Sequence, residues 1–170
     1  MNNSEWRERF LEVVVNCSSE GREAVEYIHA NNINIGIKSA RKSVGAFWTF
    51  TKSAYLNSVY FSQDSSLNNP QAWALLVHEI RHLQQGWRTA LSIYGELDAW
   101  QYQYALLKKL TQKPLPERME EILALPLNMD RQNLSRARRL MVQIAGKGYL
   151  ADLLPLYPIH LEMSYWLSGN

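Results

Sequence analysis

With 170 residues, of which 46% are hydrophobic and 20% charged, the chain has the length and composition of one soluble domain that can bury a core without staples. Its net charge of +2 is too mild to make nucleic acid or an anionic membrane the main partner. Cys17 stands alone, which excludes an internal disulfide, and no apolar run reaches the length of a membrane span.

The start, MNNSEWRERF, shows no signal-peptide pattern, so a soluble cytoplasmic protein is the expectation. Trp6, Phe10, Val13, Val14 and Cys17 recur at helical spacing, and a second helical run over 19–30 places Ala24, Tyr27 and Ile28 on one side. Asn31 and Asn32 end it. Ile33, Ile35 and Ile37 then alternate with Asn34, Gly36 and Lys38, the pattern of a half-buried strand. Segments 44–51 and 54–61 are rich in β-branched and aromatic residues, separated by the polar break Thr51-Lys52-Ser53. These segments predict a small, mostly antiparallel sheet of about three strands, antiparallel where the last two meet.

After a polar stretch from Ser62 to Pro70 the pattern turns helical. One helix runs from 69 or 70 to 85, with Pro70 suited to its first position and Gly86 to its C-terminal cap. A second covers about 89–111, interrupted near Gly95. Pro114 and Pro116 open a third over 116–124, and a fourth spans 131–145 before Gly146 and Gly148. The tail, which carries Pro155 and Pro158, is expected to hold short helical turns. The class is α+β, as one domain over 1–170, with a core at about 33–112 and a helical extension at about 113–170.

The chemistry sits in Leu75-Leu76-Val77-His78-Glu79-Ile80-Arg81-His82-Leu83, an H-E-x-x-H motif inside an apolar helical pattern. Residues at i and i+4 share a helix face, so His78 and His82 can direct two imidazoles at one ion. Glu79 is turned about 100° away, where it can act on water without ligating the metal. Three fixed letters are few, so context decides: a strand precedes the motif helix, and an acid follows on the next. That acid is Glu96, in Gly95-Glu96-Leu97-Asp98-Ala99-Trp100. A chain reversal at Gly86 would bring Glu96 level with the histidines, and the small Ala99 on nearly the same face would let the helices approach. Asp98 is the alternative third ligand, or a hydrogen-bonding partner of a ligand histidine.

H-E-I-R-H followed by E-L-D-A resembles the gluzincin branch of the zincin metallopeptidases over about 44–112. The resemblance implies a minimal zincin-like core, with the small sheet packed on the motif helix and helices flanking it at both ends. It implies one zinc ion held by His78, His82 and Glu96, a peptide or protein substrate, and hydrolysis of peptide bonds with Glu79 as general base. It also implies a strand before the motif helix that pairs with an extended substrate, which falls on Val59, Tyr60, Phe61 and Ser62. Tyr94, Tyr157 and His160 are candidates for stabilising the oxyanion. The chain departs from the E-x-x-x-D form at Trp100, and no H-x-x-G-x-x-H pattern follows, so the metzincin branch does not fit.

Two other classes remain open on the sequence. One is a catalytically silent binding protein on a zincin scaffold. The other is a helical interaction module without metal, touching phosphates through Arg131, Arg136, Arg138 and Arg139, though a solvated helix face is the plainer reading of that run. His29 reads as a helix C-terminal residue, Cys17 as a buried thiol, and Trp73, Trp87 and Trp100 as packing groups. Nothing in the sequence bears on oligomeric state.

Overall fold

The computed structural model describes residues 1–146 and 149–167. Gly148, one of the two expected helix breakers, lies outside the described residues. The fold is α+β.

Helix α1 (Asn3–Cys17) starts where the Asn2 side chain accepts the Glu5 amide, and it buries Trp6, Phe10, Leu11 and Val14. Helix α2 (Ser19–Asn31) is capped by Ser18 and ends at Asn32, whose φ of 53° is left-handed. His29 lies exposed in its last turn, and Cys17 is half-buried.

Three strands follow: β1 (Asn34–Lys38), β2 (Ala46–Thr49) and β3 (Ser53–Asn57). The order is β1-β3-β2. The β2–β3 pair is antiparallel, as expected, with Trp48 opposite Ala54. The β1–β3 pair is parallel, with Ile35 opposite Ala54, so the sheet is mixed. Both sides of β3 are therefore used, and β2 is an edge.

The expected strand at 54–61 stops at Asn57, and the cause is one side chain. Asn57 is fully buried; its amide nitrogen donates to the carbonyls of Arg41 (2.9 Å) and Val44 (2.7 Å). Its Oδ1 accepts the amides of Ala40 (3.2 Å) and Val59 (3.1 Å). The last of these bonds folds the chain into a turn. Val59 and Tyr60 are exposed, Phe61 enters the core, and Ser62 caps α3 (Gln63–Leu67). The substrate strand expected at Val59–Ser62 is thus corrected: these residues form no strand.

Helix α4 (Pro70–Gln85) begins with Asn69 as cap and Pro70 in its first turn, and ends at Gly86 with φ 73°. A one-turn helix, α5 (Trp87–Ala90), carries the chain over to α6 (Ile93–Thr111). The break expected near Gly95 falls earlier, at Leu91–Ser92, because Ser92 caps α6 by accepting the Gly95 amide at 3.0 Å. Gly95 lies inside the first turn, where a Cβ would come 2.1 Å from the Thr89 carbonyl oxygen. Helices α7 (Glu117–Ala124) and α8 (Arg131–Ala145) follow, then a 3-10 turn at Leu150–Leu153 and α9 (Ile159–Leu167). None of the described helices is long and apolar enough to cross a membrane.

Two apolar clusters build the interior. One joins α1, α2, the sheet and the inner face of α4, with Phe10, Ile28, Leu56 and Ile80 fully buried. The other joins α6, α7, α8 and the tail through Leu97, Ile122, Leu134 and Met141. Helix α6 belongs to both, since Leu106 packs into the first and Ile93, Leu97 and Trp100 into the second.

Candidate metal centre

Helices α4 and α6 pack in antiparallel fashion. Gln85 meets Gly95 and Asp98, and Arg81 meets Asp98, so late residues of one face early residues of the other. Ala99 is fully buried, as its small side chain at a close helix contact requires. The packing sets Glu96 opposite the two motif histidines.

The Nε2 atoms of His78 and His82 lie 3.0 Å apart. Glu96 Oε1 is 3.6 Å from His82 Nε2, and Glu96 Oε2 is 4.0 Å from His78 Nε2. An ion at about 2.0–2.1 Å from each of three tetrahedral ligands would hold them about 3.3 Å apart. The separations bracket that value, so His78, His82 and Glu96 form a group that can hold a metal ion. Both histidines are buried, and Glu96 is nearly so. Burial, and then the neighbouring His82, push the His78 pKa well below 6.5 and keep the ring in its neutral, ligating form.

Glu79 is buried beside this group and outside it. Loss of hydration, reinforced by the charge of Glu96, raises its pKa well above the ordinary 4.5, while the Trp48 backbone acts the other way. Glu79 and the three ligand candidates line one cleft of about 330 Å³. Its walls include Ala46, Phe47 and Trp48 of the edge strand β2, Leu75 of α4, Tyr104 of α6, and Ile144 of α8. None of the described lining residues is Lys or Arg.

The acid at 98 is no ligand here. Asp98 pairs with Arg81 through two hydrogen bonds, at 2.8 and 3.2 Å, and accepts a third from Gln85 at 2.7 Å. Gln85 in turn faces His82 Nδ1 at 3.2 Å, so Asp98 supports a histidine through an intermediate amide.

The three oxyanion candidates lie elsewhere. Tyr94 donates its backbone amide to the Leu156 carbonyl at 3.1 Å. Tyr157 packs its ring against Tyr165, and His160 is exposed on α9. None of the three lines the cleft. Tyr149 does: its half-buried side chain donates its phenol O–H to Glu96 Oε2, and Trp100 Nε1 reaches the same carboxylate oxygen at 3.1 Å and Tyr149 Oη at 2.8 Å. Burial, with the Glu96 charge adding to it, raises the Tyr149 pKa well above 10, so the phenol keeps its proton.

Sequence reasoning missed Tyr149, Gln85 and the site role of Trp100. Gln85 lies three residues after His82 and Trp100 four after Glu96, both helical neighbour spacings that carry a usable signal. Tyr149 carries none, since it is 53 residues from its partner.

The basic run on α8 is largely committed within the fold. Arg136 pairs with Glu121, Arg138 donates to the Leu154 carbonyl, and Arg131 lies over the rings of Tyr157 (5.8 Å) and Tyr165 (4.8 Å). No protein-family model, no curated protein and no solved structure matches this chain.

Proposed function

We propose that the protein is a zinc-dependent metallopeptidase of the zincin type. The observation that carries this reading is the convergence of His78 Nε2, His82 Nε2 and a Glu96 oxygen in a cleft that also holds Glu79. Two imidazoles and one carboxylate, with a further side open to the cleft, are the donor set of a catalytic zinc site.

A bound zinc ion would polarise the scissile carbonyl and lower the pKa of water. The chain's own residues do the rest. Glu79 takes the proton of the attacking water and passes it to the leaving amine. Its raised pKa in the metal-free protein suits a group that must both accept and return a proton. Tyr149, a phenol that stays protonated, would turn its single O–H from Glu96 to the developing oxyanion. The free edge of β2 offers backbone groups to an extended peptide, in place of the segment at 59–62. The aromatic and aliphatic walls exclude water around the reacting bond. The lone Cys17 supports a reducing compartment such as the cytoplasm.

The test is metal analysis of the purified protein together with peptide-library cleavage by wild type and Glu79→Gln. The reading expects about one zinc per chain in both proteins, with cleavage by wild type only. Zinc in wild type with no cleavage of any peptide would leave a silent binding scaffold. Absence of metal affinity would remove the reading entirely.

A further inference from the structure

We propose that Gln85 is a positioning residue for the metal centre, presetting the tautomer of His82. The inference rests on the metal-site reading above and concerns residues outside the ligand set.

The carboxamide of Gln85 faces three groups. Its Nε2 lies 2.9 Å from the Gly95 carbonyl oxygen and 2.7 Å from Asp98 Oδ2. Its Oε1 lies 3.2 Å from His82 Nδ1. A carbonyl and a carboxylate accept hydrogen bonds and donate none. The Arg81 guanidinium grips both Asp98 oxygens, at 2.8 and 3.2 Å. Turning the carboxamide over would set its oxygen against two acceptors, so this orientation is the one the surroundings enforce. The atom facing His82 is therefore an acceptor, and His82 Nδ1 carries the proton. The lone pair is then on Nε2, the atom 3.6 Å from Glu96 Oε1 and within the ligand group.

The two Nε2 atoms face each other at 3.0 Å, and an ion held between them would take a lone pair from each. Thus Arg81, Asp98 and Gln85 act in series on His82, while the polar groups set against His78 are the Ala99 backbone and the Gln103 side chain of α6. Gln85 stays neutral and reaches His82 without adding charge to the site. The long side chain of Arg81 extends the series to the surface, over the Tyr102 ring at 5.1 Å.

The experiment uses ¹⁵N-histidine-labelled full-length protein, metal-free, with long-range ¹H–¹⁵N spectra to read each ring's tautomer, followed by zinc titration against a competing chelator. Wild type is expected to show His82 protonated at Nδ1. Gln85→Leu should lose that tautomer, and its zinc dissociation constant should rise about 10–100-fold. Gln85→Met, closer in length and equally without an acceptor oxygen, should do the same. A wild-type His82 protonated at Nε2 overturns the proposal. So does Gln85→Leu with the tautomer changed and zinc affinity intact, or with affinity lost and the tautomer kept. Should Gln85→Leu fail to fold, the wild-type and Gln85→Met spectra decide the matter. If wild type takes up no zinc, the metallopeptidase reading fails, and the spectra still decide whether Gln85 sets the ring.

Discussion

The phenol of Tyr149 donates to Glu96 Oε2, the carboxylate oxygen nearer His78, while Glu96 Oε1 stays nearer His82. Trp100, one turn after Glu96 on α6, adds an indole N–H to the same Oε2 at 3.1 Å. One oxygen is thus occupied by two donors, and the other is left for the ion.

Tyr149→Phe removes one hydroxyl and keeps the ring that packs edge-on against Trp100 at 5.4 Å. The fold and the zinc should persist. Peptide cleavage should fall on the order of 100-fold, the usual effect of losing one oxyanion donor. The decrease should lie in kcat rather than KM. An unchanged kcat would assign Tyr149 to holding Glu96 alone.

The acids at 96 and 98 are separated by metal content. Glu96→Ala and His82→Ala should each retain less than about a tenth of the wild-type zinc after dialysis, since a three-ligand site loses a whole donor. Asp98→Ala should weaken zinc binding only about 10–100-fold, as expected for a group acting through a ligand. Equal zinc loss in the Glu96 and Asp98 variants would contradict the geometry.

Glu79 makes a pH-dependent contribution to the stability of the metal-free protein. Its folded pKa lies well above the ordinary 4.5, so the fold favours the protonated acid. That stability is complete below pH 4.5 and is lost as the pH rises towards the folded value. Metal-free Glu79→Gln should therefore gain on wild type as the pH is raised from about 5 to 8, by at most about 1.4 kcal/mol per pH unit. His78, whose lowered pKa acts in the opposite sense, is present in both proteins, so comparing their melting temperatures isolates Glu79. An advantage that shrinks with rising pH contradicts the assignment.

Gly95 permits the entry into α6. An added methyl would overlap the Thr89 carbonyl oxygen, at 2.1 Å, and that oxygen belongs to the backbone. Gly95→Ala should cost about 1–3 kcal/mol, read by denaturant unfolding, and should weaken zinc binding because Glu96 is the next residue. Gly146→Ala, with open space around it but a φ of 79°, serves as a comparison in which only backbone strain acts.

The sequence by itself determined what depends on neighbours along the chain. The one-turn spacing of His78 and His82, the cap at Gly86 and the start at Pro70 follow from helical periodicity and local hydrogen bonding, and the helix formed where they required it. The α+β class followed from the change in apolar period between the N-terminal helices and Ile33–Ile37. Glu96 was legible because a short reversal between two helices leaves few registers for the second. Tertiary structure decided the rest. Asn57, through bonds to Arg41 and Val44, ended β3 early and left β2 as the edge beside the cleft. It also chose Asp98 for Arg81 and Gln85 rather than for the metal group, and brought in Tyr149 from beyond α8. Such contacts join residues distant in sequence, where no periodicity constrains the pairing and only the packed geometry selects the partner.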